Sequence, residues 1–217
     1  DRTDDGSTPL LLAARDNHLS ALEFLLSKGA NLHDKSEEGM TPIMWACNNG
    51  NLAMVELLAG KGADLFEADN DGDAPISFAS CNKDSSVAEF LWARGVNIHA
   101  KNGDGLTPLL LAVRENVSST AEFLVSKGAN VSEKDENGHS SLTWACQHGN
   151  LPIVELLVSR GADISSKDDD GDTPIYIATC NNHLPIIEFL SSKGADINVC
   201  NNDGRSPLAA AASEGSL

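Results

Sequence analysis

The sequence has no apolar run long enough to cross a membrane. Its longest stretches, such as Pro9 to Ala14, are a fraction of the ~20 residues a span requires. It is also short of positive charge: 15 Lys and Arg stand against 32 Asp and Glu, a formal net charge of −17. That balance argues against nucleic acid as a partner, because phosphates are repelled over most of the surface, and against direct contact with an anionic membrane. The opening Asp1-Arg2-Thr3-Asp4-Asp5 has no cationic segment leading into an apolar one, and no initiating Met. The chain is therefore expected to be an excised piece of a longer protein. Paired cysteines or histidines at metal-ligand spacing are missing, as are a Gly-rich phosphate loop and a nucleophile elbow. His148, Cys180 and His183 fall on neighbouring segments, but tetrahedral zinc needs four ligands. No metal, no cofactor and no enzymatic activity are expected.

What is present is an ordinary folding composition, 41% hydrophobic and 22% charged over 217 residues, with enough length for one continuous core. The five cysteines are an odd number and lie in apolar helical contexts. They are expected to be buried or half-buried thiols in a reducing, intracellular and cytoplasmic compartment.

Self-similarity is the strongest signal. Gly29-Ala30, Gly62-Ala63, Gly95-Val96, Gly128-Ala129, Gly161-Ala162 and Gly194-Ala195 follow one another at steps of 33 residues. Thr8-Pro9, Thr41-Pro42, Ala74-Pro75, Thr107-Pro108, Ser140-Ser141, Thr173-Pro174 and Ser206-Pro207 keep the same step, and a glycine precedes each by two residues. Thr-Pro starts a helix: the hydroxyl accepts an orphan backbone N–H, and Pro has none to waste. Leu10 to Ala14 then reads as a short inner helix, Asn48-Asn49-Gly50-Asn51 as a turn, and Met54 to Leu58 as an outer helix with one apolar face. Lys61-Gly62 stops it, with glycine in the left-handed cap and the cation at the negative helix end. Asp64 to Asp73 returns as a hairpin turning at Asp71-Gly72. Glu23, Glu56, Glu89, Glu122, Glu155 and Glu188 recur once per unit, as catalytic carboxylates do not. Ala74 cannot cap its helix, and Ser140-Ser141 lacks the pre-set proline.

The pattern Asp-x-x-Gly-x-Thr-Pro-Leu, a turn, Val-Glu-x-Leu-Leu and Gly-Ala-Asp resembles ankyrin repeats over essentially the whole chain. The resemblance implies an all-α solenoid of helix-turn-helix units with β-hairpin fingers and no sheet core. As a single array its units run 3–35, 36–68, 69–101, 102–134, 135–167 and 168–200, with a partial seventh at 201–217. That last unit has an inner helix and no outer one, and is expected to fray. Where the family often places His after Thr-Pro-Leu, this chain has Leu11, Met44, Ser77, Leu110, Thr143 and Tyr176, so apolar contacts must partly replace a polar tie.

A longer period of 99 residues is superposed: Trp45-Ala46-Cys47 recurs as Trp144-Ala145-Cys146, and Cys81-Asn82 as Cys180-Asn181. The tryptophans are expected in the core. The block is either a bare duplication or a pair of related docking surfaces. The finger acids Asp4-Asp5, Glu37-Glu38, Asp69, Asp71, Asp73, Asp104, Asp135-Glu136, Asp168 to Asp170, Asp172 and Asp203 recur in register. Such a row either steers a basic partner or keeps the protein soluble.

By resemblance, partners are bound by the finger tips and the exposed side of the inner helices. The matching positions are Glu38, Met40, Asn48, Asn49, Asp71, Asp73, Asn82, Asp104, Leu106, Arg114, Glu115, Asn137, His139, Gln147, His148, Asp170, Asp172 and Asn181. Met40 and Leu106 are expected as exposed apolar anchors. The reading is a monomeric scaffold for another protein with a basic or mixed-charge segment. Its alternatives are a spacer or spring within a large multidomain protein, and a hydroxylase substrate modified at Asn198.

Overall fold

The computed structural model describes residues 3 and 6–209. Among them, helices come in six pairs: α1 (Pro9–Arg15) and α2 (Leu19–Ser27), α3 (Pro42–Asn48) and α4 (Leu52–Gly60), α5 (Pro75–Ser80) and α6 (Ser86–Ala93), α7 (Pro108–Arg114) and α8 (Ser118–Ser126), α9 (Ser141–His148) and α10 (Leu151–Ser159), α11 (Pro174–Cys180) and α12 (Leu184–Ser192). The chain divides into two compact units, Asp1–Pro108 and Leu109–Leu217. In the first, α3 packs against α1, α4 and α5, while α5 meets α6 and α4 meets α6. In the second, α9 packs against α10 and α11, α11 against α12, and α10 against α8 and α12. Asp4, Asp5 and the stretch 210–217, where fraying was expected, lie outside the described residues.

The inner helices begin as their sequence dictates. Thr8, Thr41, Ser140 and Thr173 accept, through their hydroxyls, the backbone N–H three residues on at 3.3–3.5 Å. Ala74 makes no such bond, and its helix is only six residues long. Leu11, Met44, Ser77, Leu110, Thr143 and Tyr176 are all buried.

The outer helices stop with Lys28, Lys61, Arg94, Lys127, Arg160 and Lys193 at the cap. The glycine that follows each has φ between 84° and 94°. The turn is closed by two backbone bonds, such as Gly29 N–H to Leu26 O and Ala30 N–H to Leu25 O, both 3.1 Å. The cations do more than face a helix dipole. Lys28, Arg94, Lys127 and Lys193 lie 4.5–5.6 Å over the rings of Phe24, Phe90, Phe123 and Phe189, one turn earlier. Arg160 has Leu156 in that place and donates instead to Val125 O at 2.7 Å.

The fingers differ from the β-hairpins expected. Among the described residues the one β-bridge is Lys134–Ser140, and each finger is otherwise a turn. Asp69 Oδ1 takes the N–H groups of both Asp71 and Asp73, at 3.0 and 2.9 Å, and Asp135, Asp168 and Asn201 repeat the arrangement. Each of these fingers also keeps one backbone bond across its turn, such as Asp69 N–H to Asp73 O at 3.1 Å.

Consecutive fingers then touch backbone to backbone. Gly103 N–H donates to Asp71 O at 3.0 Å, and Asn70, Asp169 and Asn202 donate likewise to Glu38, Asn137 and Asp170 at 2.9–3.1 Å. At Gly72, φ is +81° and an added Cβ would stand 2.6 Å from Gly103 N. Gly72→Ala is therefore expected to cost about 1–3 kcal/mol in urea unfolding, because backbone cannot step aside as a flexible side chain can. Ala74→Thr restores the missing cap and is expected to raise stability by about 1 kcal/mol in the same measurement.

Candidate partner-binding face

The tip residues Glu38, Asp71, Asp104, Asn137, Asp170 and Asp203 are all exposed. Within each unit the backbone bonds between fingers hold these tips in sequence, so a row of carboxylates faces solvent in the first unit. Asp69, Asp135 and Asp168 do not belong to that exposed set. Their carboxylates fold the turns, and Asp168 is only 8% exposed.

Met40 and Leu106 correct the expectation of exposed anchors: they are 7% and 3% exposed. The finger turn directs the residue before the capping Thr inward, so an apolar side chain there joins the core. Asp73, His139 and Asp172 occupy the same register and are half-buried. Asp73 Oδ1 accepts from Asn102 Nδ2 at 2.9 Å.

The inner-helix ends divide into exposed and bonded positions. Asn48, Gln147, Glu115 and Asn181 are exposed, and Arg114 is ion-paired with Glu115 at 3.3 Å. Asn49 donates to Ala14 O and Arg15 O at 2.9 and 3.1 Å, and Asn82 to Cys47 O and Phe78 O at 2.7 and 3.1 Å. His148 Nε2 meets Arg114 O at 2.7 Å. These three tie one repeat to the previous one. Asn181 turns back to Ile177 O of its own helix at 2.9 Å, so the Cys-Asn pair of the two blocks is not equivalent.

Trp45 and Trp144 are half-buried rather than core. Trp144 Nε1 donates to Asp135 Oδ2 at 3.1 Å, and its ring lies 5.1 Å from His139 and 6.2 Å from His148. His139 bridges two fingers, Nδ1 at 3.3 Å from Asp135 and Nε2 at 3.6 Å from Asp168. The recurrence of Trp after the finger was legible in sequence; its hydrogen bond nine residues back was not.

His139, Gln147, Asp170, Asp172 and Asn181, all predicted, meet around one cleft of about 200 Å³ in the second unit. Sequence reasoning gave no role there to Tyr176, whose hydroxyl is pushed up to about 12 by burial, with Cys180 and Asp172 adding to the shift. Burial also raises the Asp172 carboxyl; Asn201 opposes this, and the charges of Asp168, Asp170 and Asp203 reinforce it.

Of the cysteines, Cys47 and Cys146 are buried and their thiols are pushed far up by desolvation, which makes them unreactive. Cys81 and Cys200 depart from expectation in being exposed, the first at a helix cap and the second in the loop before a finger. Among the described residues no cluster of His, Cys, Asp and Glu could hold a metal ion, and no helix is long and apolar enough to cross a membrane.

The family model for ankyrin repeats matches residues 1–69, 76–168 and 160–217. The ankyrin repeat domain of human ASB11 is similar in structure, with a TM-score of 0.87 at 24% identity, covering 94% of this chain and 92% of that one. The ankyrin repeat domain of Bcl-3, described as a unique member of the IkappaB protein family, aligns at 26% identity with a TM-score of 0.76 and 95% of each chain covered. No curated protein matches the chain in sequence. With three family matches spanning the repeats and the helix pairs in place, the chain belongs to the ankyrin repeat family, whose domains generally mediate protein–protein interaction.

Proposed function

We propose that the chain is an interaction scaffold that binds a basic or mixed-charge polypeptide with its finger tips and the exposed ends of its inner helices. The observation that carries this is the division of labour among the acids. Asp69, Asp135 and Asp168 are consumed in folding the turns through their carboxylates, whereas Asp71, Asp104 and Asp170 stand exposed at the tips. Their exposed row supports electrostatic steering of a cationic segment, and the net charge of −17 disfavours nucleic acid and anionic lipid.

The test is charge reversal at positions that the fold does not use. Asp71→Lys, Asp104→Lys and Asp170→Lys are combined, and the far-ultraviolet circular dichroism is expected to stay unchanged. A specific partner captured by the parent chain and identified by mass spectrometry is expected to bind the variant at least tenfold more weakly. Association with the parent is expected to slow as salt rises, since the attraction is screened within ~8–10 Å. Equal affinity of parent and variant would mean that the tips serve solubility alone. Capture of no specific partner by either would favour a spacer.

A further inference from the structure

Three half-exposed apolar side chains line up in the first unit. Leu12 on α1, Trp45 on α3 and Phe78 on α5 stand one period apart, and each keeps part of its surface in water. Helices α1, α3 and α5 pack in succession, held in register by Asn49 to Ala14 O and Asn82 to Cys47 O. The same positions are closed in the second unit. Leu111 and Ile177 are only 4% and 9% exposed, and Trp144 lies against His139 and His148 with its N–H taken by Asp135. The first unit has Met40, Asn49 and Ser36 in the places of His139, His148 and Asp135. Ser36 gives its hydroxyl to Glu38 at 2.8 Å. Among the described residues the indole N–H of Trp45 makes no hydrogen bond.

Acids border the same face. In the second unit Asp170, Asp172 and Ile177 line one cleft, so finger acids stand beside this helix position. Those three positions in the first unit are Asp71, Asp73 and Phe78, and Glu38 is exposed one period before Asp71. An apolar stripe with an anionic edge calls for a segment that is apolar along one side and cationic beside it.

The spacing and the free donor narrow the choice. Neighbouring helices sit ~8–10 Å apart, so the stripe repeats at that interval. A polyproline II chain rises ~9 Å per three-residue turn, which brings every third side chain onto the stripe. Its carbonyls make no internal hydrogen bonds and are open to the Trp45 N–H, whereas an α-helix has spent its own. Aromatic-lined grooves hold such segments at low ordering cost.

We propose that Leu12, Trp45 and Phe78 dock a proline-rich, polyproline II segment of the partner, with an apolar side chain at every third position and Lys or Arg beside the finger acids. This deepens the scaffold reading and rests on it.

The probe is a ten-residue peptide with Lys at both ends, Leu at its fourth and seventh positions and Pro elsewhere. It is titrated into the 217-residue chain at constant ionic strength, while amide and indole N–H resonances are followed by NMR. Saturable shifts are expected at Leu12, Phe78 and both N–H groups of Trp45, and not at Leu111 or Ile177. Replacing both Leu by Ser, or both Lys by Glu, is expected to weaken binding at least tenfold. Trp45→Phe keeps a ring and removes the donor, for an expected loss of about three- to tenfold. Phe78→Ala is expected to lose at least tenfold, and Phe78→Leu, gentler on the helix, to lose less in the same direction. Trp144→Phe is expected to leave binding unchanged.

Equal affinity for the Leu and Ser peptides would overturn the proposal. So would unchanged affinity in both Trp45→Phe and Phe78→Leu, or a response only to an Ala-rich helical peptide of the same Lys and Leu content. If the titration fails while the tip charges still govern partner capture, the proline-rich occupant alone falls. If capture ignores the tips while the titration holds, the broader reading falls instead.

Discussion

The carbonyls at the end of an inner helix have no acceptor role left inside that helix, and the structure satisfies several of them from the following repeat. Asn49 serves Ala14 and Arg15, Asn82 serves Cys47, His148 serves Arg114, and His183 Nε2 lies 3.1 Å from Gln147 O. A second rung runs between turns, where Asn51 donates to Asn17 Oδ1 at 2.6 Å and Asn150 to Asn116 Oδ1 at 2.8 Å. Each bond spans about one period of sequence, so an insertion anywhere between would break it. Apolar packing alone fixes that helices pair; these polar ties add which residue sits under which, each hydrogen bond contributing about 0.5–1.5 kcal/mol beside the turn N–H groups of Gly50 and Asn17 that also reach Cys47 O and Ala14 O.

That constraint decides what is free for binding. The inner-helix end is the obvious place to seek a recognition surface, yet Asn49, Asn82, His148 and His183 are engaged by the preceding repeat. The fingers show the same split. The first acid of a finger folds it, and the acid at the tip is left in water. The proposed binding role therefore draws on residues that remain after the stack has taken what it needs, such as the tip carboxylates and Gln147.

Much of the fold was legible in sequence because it rests on local chemistry. Thr-Pro starts, Lys-Gly and Arg-Gly stops and Asp-Gly turns act within a few residues, and their 33-residue recurrence made the repeat plain. What was not legible depends on partners far along the chain or on direction. Met40 and Leu106 were misjudged because a finger is too short for alternation to say which residue turns inward. The fingers were read as β-hairpins because an Asp-Gly turn between extended residues suggests one; among the described residues only Lys134–Ser140 forms a bridge. Asn82 looked like a surface residue because the carbonyl it serves across repeats is that of Cys47, 35 residues away. The phenylalanine seats beneath the capping cations were visible at four-residue spacing, and went unread because the helix end alone seemed to explain the charge.

The central claim, that side-chain ties to the previous repeat hold the stack in register, is tested most directly by comparing Asn82→Ala with Asn48→Ala in reversible urea unfolding. Both remove an asparagine amide near an inner-helix end, but Asn82 is bonded across repeats and Asn48 is exposed. The account predicts a loss of about 1–3 kcal/mol for Asn82→Ala and a change within about 0.5 kcal/mol for Asn48→Ala. Equal, small losses for the two would contradict it.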